Sequence, residues 1–254
     1  MKVSVIGLGE IGFETFKEIS KKIEVYGYEI NKKRLAALRI VNKGYKISDK
    51  LIKSDIYIIT VYSIEQVFSV LSKMSFDNHP LVVIESTVNP TKVEKLAKYS
   101  AKNNFDLVFF PHRYNPGDKN HHIFNLDRII GGVTENSTKR ALDFYKNFMD
   151  PNLIHVFDYK IASLSKVVEN AYRFMEISIA QYLKINCDKF DIDFNDLRNA
   201  CNTKWNINIK EARDGIKGKC LPKDTSLLLN YFDKPFINYF IKHNEYYKKN
   251  VGKN

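Results

Sequence analysis

Gly7-Leu-Gly9-Glu-Ile-Gly12 stands directly behind an apolar run at residues 2–6 and opens a helical pattern at residues 12–22. A strand that passes through such a turn into a helix narrows the choice of fold sharply. The first glycine allows a tight turn, the second lets a ligand approach the backbone, and the third lets the helix pack close to the strand. The helix start offers unpaired N–H groups and a positive dipole end, which suit a pyrophosphate. The next apolar run, residues 24–28, leads into Glu29. A carboxylate there, about twenty residues beyond the first glycine, accepts hydrogen bonds from ribose hydroxyls and repels a 2′-phosphate. NAD is therefore expected over NADP, and Asn31-Lys32-Lys33-Arg34 reads as the exposed first turn of the following helix.

Short apolar runs then alternate with helical patterns. Strands are expected at 2–6, 24–28, 56–61, 81–85, 107–110, 128–131 and 153–157. Helices are expected at 12–22, 32–42, 64–73, 91–103 and 137–147. Such alternation builds βα units around a parallel sheet. The pattern changes after Asp158. Apolar residues at Leu164, Val167, Val168, Ala171, Phe174, Met175, Ile179 and Tyr182 keep helical spacing for about seven turns, long for a globular helix. A helix at 194–201, a loop holding Gly215 and Gly218, and a helical stretch at 225–249 follow. The expected class is α/β: a Rossmann-type doubly wound parallel sheet over residues 1–158. A mainly α-helical domain with a long central helix then occupies residues 159–254.

Net charge is +11, from 40 Lys and Arg against 29 Asp and Glu. The lysines are scattered and form no basic arm, so a solvated surface is expected, with no nucleic-acid partner and an attraction for phosphorylated ligands. The longest apolar stretches are strand-length, far short of a membrane span, and Met1 opens almost directly into a strand. No membrane partner and a cytoplasmic location are expected. Cys187, Cys201 and Cys220 are too few and too irregular for a disulfide framework or a zinc site. His121-His122 reads as loop surface, so no metal is expected.

Gly218-Lys-Cys220-Leu-Pro222-Lys223-Asp224 places a thiol between lysines, an electropositive setting that favours thiolate. Taken alone, Cys220 fits a buried structural thiol better. Lys166-Val-Val-Glu-Asn170 puts an ammonium and an amide one turn apart on the long helix. These segments occur in order with Glu85-Ser-Thr87-Val88, Phe110-Pro-His-Arg-Tyr-Asn-Pro-Gly117 and Arg128-Ile-Ile-Gly-Gly132. With them the chain resembles the UDP-glucose/GDP-mannose dehydrogenase family from residue 1 to about residue 245.

That resemblance implies a twofold, NAD-dependent oxidation of a nucleotide-linked sugar alcohol to a uronic acid. It makes Cys220 the nucleophile of a thiohemiacetal and then a thioester. Lys166, assisted by Asn170, steadies the developing oxyanion, while Asp224 and Thr87 hold or activate the water. His112 stands where the family usually carries a glutamate implicated in that activation, and an imidazole is a base near neutral pH. Cofactor contacts are implied for Ile11, Glu29, Arg34, Ser63, Thr87 and Lys223, beside Gly7, Gly9 and Gly12 of the glycine loop. The long helix, residues 161–186, is implied as a homodimer core.

The family also carries a C-terminal domain that grips the nucleotide, and the sequence ends at Asn254, where the connection to it is expected. Lys217 replaces a glycine on the approach to Cys220. Two other readings therefore stay open. One is a 3-hydroxyacid-type dehydrogenase using Lys166 and Asn170 without covalent catalysis. The other is a non-catalytic NAD-binding subunit.

Overall fold

Four strands whose every residue is buried form the centre of the first unit: β1 (Val3–Ile6), β4 (Ile56–Ile59), β5 (Leu81–Ile84) and β6 (Asp106–Phe109). Continuous burial without alternation is the mark of strands covered on both faces, as in a parallel sheet flanked by helices. With β2 (Val25–Tyr28), β3 (Ile47–Ser48), β7 (Arg128–Gly132) and β8 (Ile154–Val156) they make an eight-stranded sheet of order β3-β2-β1-β4-β5-β6-β7-β8. All pairings are parallel except β6 with β7. The computed structural model describes residues 1–41, 44–118, 120–232 and 234–251. Asn42, expected at the end of a helix, and Asp233, expected inside one, lie outside them.

The chain divides into two compact units, Met1–Lys166 and Val167–Asn254. In the first, α1 (Glu10–Ser20), α2 (Lys32–Val41) and α5 (Glu135–Tyr145) pack apolar residues on one face of the sheet. There Phe13, Phe16, Leu35, Leu38, Ala141 and Phe144 meet Val3, Val5, Ile58 and Val83. On the other face α3 (Ile64–Leu71) and α4 (Val93–Lys102) bring Val67, Leu71, Val93 and Leu96 against Ile6, Ile59, Val82 and Leu107. Strand order reverses between β1 and β4. At such a switch point the loops beyond the strand ends part and leave a crevice.

The helix α6 (Tyr159–Lys189) has 31 residues and runs through the division between the units. The second unit adds α7 (Phe194–Asn202), α8 (Cys220–Leu228) and α9 (Lys234–Asn250). Its core joins Ala180, Cys187, Phe194, Ala212 and Tyr247 in one cluster, and Phe174, Ile177 and Ile216 in a second. The side chain of Asn244 ties them, accepting from Ile216 N at 2.9 Å and from Gln181 Nε2 at 3.3 Å. Among the described residues no helix is long and apolar enough to cross a membrane.

Two expectations change. The loop holding Gly218, whose φ is +87°, ends at Lys219, and Cys220 is the first residue of α8 rather than part of the loop. Pro222 is accommodated because the first-turn N–H groups of a helix have no intrahelical partner. The single stretch expected at 225–249 is two helices, α8 and α9. The short strand β3 was not foreseen.

Candidate active site

The glycine loop lies at the switch point. Gly7 has φ +87°, and a Cβ there would meet Thr60 O at 2.8 Å. A Cβ on Gly12 would lie 1.9 Å from Gly7 O and 2.2 Å from Thr60 Oγ1. Thr60, just beyond β4, donates its hydroxyl to Gly7 O at 2.6 Å, so it staples the turn from the neighbouring strand. Gly9 differs: nothing lies within 4 Å of a Cβ built there, and its φ of −65° is ordinary. It caps α1 with no side-chain hydrogen bond to the helix start. The N–H groups there thus face a space with room for a phosphate, which is the shape a dinucleotide needs.

Glu29 borders this space. Its carboxylate accepts from Leu8 N at 2.9 Å and Asn31 N at 2.8 Å, which fixes it at the loop while leaving lone pairs for ribose hydroxyls. Arg34 reaches back to the same loop, donating to Leu8 O at 2.8 Å and Gly9 O at 3.3 Å. Its guanidinium also lies 5.5 Å from the Phe13 ring centre. Ile11 is half-buried in α1. Ser63 caps α3 in a reciprocal box with Gln66. Thr87 is half-buried in the turn after β5. These residues fit the binding of NAD to this unit.

A second feature of this unit was hidden in the sequence. Glu85, just beyond the end of β5 and buried, bonds to four side chains, from α1, β7, α5 and the segment after β6. Arg128 Nη2 donates to Oε1 at 3.0 Å, Tyr145 Oη donates to Oε1 at 2.9 Å, and Thr15 Oγ1 donates to Oε2 at 3.2 Å. The fourth partner is His112, whose Nε2 bonds to Oε2 and lies 3.1 Å from Thr15 Oγ1. Arg128 also donates to Phe110 O and stacks 3.6 Å from the centre of that ring.

Burial raises the Glu85 pKa, but the charges and hydrogen bonds of His112 and Arg128 outweigh it and bring it down to about 2. Burial, then repulsion by Arg128, lowers His112 to about 4 against the pull of Glu85, and Lys166 lowers it further. Arg128 already neutralises the carboxylate, so a proton added to His112 would find no spare counter-charge. The imidazole is therefore neutral at pH 7. Glu85 and Arg128 were noticed only as parts of motifs, and Thr15 and Tyr145 were missed. A polar residue on the apolar face of α1, between Phe13 and Phe16, was the available signal for Thr15.

In the second unit Cys220 is exposed at the first turn of α8, behind Lys219. One turn on, Asp224 is 1% exposed and accepts from Asn170 Nδ2 of α6 at 2.6 Å. Lys223 Nζ lies 3.6 Å from Asp224 Oδ1. The structure thus brings Asn170, Lys223 and Asp224 together, with Cys220 on the same helix. Lys166 is half-buried on α6, one turn before Asn170. His121, by contrast, is exposed and pairs with Asp118 at 2.7 Å, and among the described residues no group of three or more His, Cys, Asp or Glu side chains is placed to hold a metal.

Fold and glycine-loop geometry together define a Rossmann-type dinucleotide-binding protein with an appended helical unit. The NAD-binding domain of the UDP-glucose/GDP-mannose dehydrogenase family matches residues 45–149, and the central domain of that family matches residues 160–245. The chain belongs to the UDP-glucose/GDP-mannose dehydrogenase family. It is 29% identical to a UDP-N-acetyl-D-mannosamine dehydrogenase of Campylobacter jejuni, covering 88% of this chain and 66% of that protein. It is 27% identical to a UDP-N-acetyl-D-glucosamine 6-dehydrogenase of Salmonella typhi, covering 88% and 61%. The solved UDP-D-ManNAc dehydrogenase of Pyrococcus horikoshii superposes with a TM-score of 0.85 at 25% identity, over 97% of this chain and 69% of that one. The chain thus spans roughly three-fifths to two-thirds of these curated relatives' length. A 3-hydroxyisobutyrate dehydrogenase of Mycobacterium tuberculosis matches with a TM-score of 0.76 at 12% identity, a likeness of fold alone.

Proposed function

We propose that this chain carries the NAD and cysteine halves of a nucleotide-sugar dehydrogenase, oxidising a sugar alcohol to the uronic acid through a thioester on Cys220. The observation that carries this reading is the exposed Cys220 at the N-terminus of α8, one turn before the buried Asp224–Asn170 pair. A buried structural thiol would need none of that arrangement. NAD, when bound, would supply the oxidant, one molecule taking the hydride of the alcohol and a second, after exchange, that of the thiohemiacetal, while the alcohol's proton passes to the water held by Asp224 and Thr87.

The protein's own groups do the rest. Gly9 admits the pyrophosphate in the turn that Gly7 and Gly12 shape, and Glu29 holds the ribose, with Ile11, Arg34, Ser63, Thr87 and Lys223 as further cofactor contacts. The Cys220 thiolate adds to the carbonyl carbon of the aldehyde, and Lys166, with Asn170, stabilises the oxyanion that forms. After the second hydride leaves, water adds to the thioester and the thiolate departs. Asp224 and Thr87 orient that water, and His112 accepts a hydrogen bond in the same hydrolytic half.

The substrate class suggested by the named relatives is a UDP-linked sugar. We further assign a homodimer through residues 161–186. Ile161, Val168, Tyr172, Ile179 and Tyr182 are exposed at 51, 37, 60, 49 and 50%. Their spacings of seven, four, seven and three residues keep them on one helical stripe, with Ser165 and Met175 at the intervening places of a helix–helix seam. The test of function is incubation with NAD and a panel of UDP- and GDP-sugars, following NADH. Sugar-dependent NADH supports the reading. NAD binding without turnover on any sugar instead supports a non-catalytic NAD-binding subunit.

A further inference from the structure

One acceptor in the first unit has no donor. His112 is 7% exposed, and its Nδ1 is buried with no hydrogen-bond partner among the described residues. The other ring nitrogen determines what Nδ1 can be. Glu85 Oε2 lies against Nε2, and Glu85 is ionised, bound by Arg128 and Tyr145 through its other oxygen. A carboxylate cannot donate, so Nε2 must carry the proton; in the neutral ring Nδ1 is then a bare lone pair.

Thr15 reinforces this arrangement, since its hydroxyl bonds to Glu85 Oε2 and lies beside Nε2. The charged and titratable groups around the ring are Glu85, Arg128, Tyr145 and the ammonium of Lys166, which disfavours a second proton on it. Buried acceptors are nearly always satisfied, and an exception calls for a donor that arrives from elsewhere.

We propose that Glu85 is a positioning residue that fixes His112 as the neutral Nε2–H tautomer, and that His112 Nδ1 accepts a hydrogen bond from a hydroxyl of the sugar substrate. The ligand half of this inference rests on the dehydrogenase reading above. The tautomer half does not. Substrate carbohydrate is the fitting donor because it is rich in O–H groups, and Lys166 nearby stabilises negative charge developing on such an oxygen.

The test is nitrogen-15 NMR of histidine-labelled full chain, with the His112 signals assigned by their loss in His112→Gln. The expected spectrum shows Nε2 protonated and Nδ1 bare from pH 8 to about pH 5.5. A protonated Nδ1, or a doubly protonated ring at pH 7, overturns the proposal. In Glu85→Gln the ring is expected to populate both tautomers; an unchanged Nε2–H ring removes Glu85 from its role. Should Glu85→Gln fail to fold, the wild-type spectrum still decides the tautomer.

For the ligand half, a UDP-sugar is titrated into Cys220→Ser, with binding followed independently by calorimetry. The Nδ1 resonance is expected to move to the hydrogen-bonded position at saturation. An unmoved Nδ1 with sugar bound overturns the acceptor role while leaving the dehydrogenase reading intact. Failure of every nucleotide sugar to bind, with no NADH formed by wild type, overturns that reading and the ligand half with it.

Discussion

Replacing Gly9 and Gly12 separately by alanine distinguishes the two roles that glycine plays in one loop. At Gly12 the new Cβ would sit 1.9 Å from Gly7 O and 2.2 Å from Thr60 Oγ1, and the first of these is backbone. Forcing a methyl into packed structure costs about 1–3 kcal/mol, and alanine returns about 1 kcal/mol of helix propensity. Because the backbone itself must move, a net loss of about 2 kcal/mol is expected, or a fall of roughly 4–8 °C in Tm for a chain of this size. At Gly9 the Cβ meets nothing and the φ of −65° suits any residue. Only the poorer helix cap is felt, about 0.5–1 kcal/mol. NAD binding behaves differently, because the Gly9 methyl occupies the space where the pyrophosphate approaches. A loss of tenfold or more in NAD affinity is expected, equivalent to about 1.4 kcal/mol or more. Calorimetric NAD titration and thermal denaturation on both variants give the answer. Wild-type NAD affinity in a folded Gly9→Ala protein would refute the placement of the phosphate over Gly9.

Stability should also depend on pH through His112. Its pKa is about 4 in the folded protein against an ordinary value of 6.5, so the unfolded chain binds the proton first. The contribution is complete above about pH 6.5, declines as pH falls toward 4, and amounts to about 3 kcal/mol. Glu85, lowered from 4.5 to about 2, adds its own loss only below about pH 4.5. Urea denaturation between pH 7 and 5 should therefore show a steeper decline for wild type than for His112→Gln, and equal slopes would contradict the buried neutral imidazole. Glu29→Gln removes the charge that repels a 2′-phosphate, so the NAD-to-NADP affinity ratio should fall by about tenfold or more; an unchanged ratio would place cofactor discrimination elsewhere. Tyr172→Glu puts a carboxylate in the exposed seam of α6 and should give a monomer by light scattering, whereas a dimer of unchanged affinity would remove α6 from the interface.

The sequence shows what is local. Continuous apolar runs mark the strands of the first unit, since each is covered on both faces, and the glycine loop announces itself because a turn, a close approach and a helix start coincide within six residues. Short β3 escapes because two residues, Ile47–Ser48, pair only with Gly27 and Tyr28 and carry no periodicity. The start of α8 escapes because Gly218, Pro222 and three lysines read as a loop, although a proline in the first turn is compatible with a helix. The knot around Glu85 escapes for another reason. Thr15, His112, Arg128 and Tyr145 lie 27 to 70 positions away from it in the chain, and only the sheet order brings them to one carboxylate. Resemblance directed attention to Cys220, Lys166 and Asn170; the hydrogen bond from Asn170 to Asp224 became visible only in the fold.

The most direct measurement is the ratio of NADH formed to sugar consumed, for wild type and for Cys220→Ser, with the carbohydrate product identified by mass spectrometry. The thioester route predicts two NADH and one uronic acid per sugar for wild type. It predicts at most one NADH and no acid for Cys220→Ser. Two NADH and a full yield of acid from Cys220→Ser would show that the thiol is not the nucleophile.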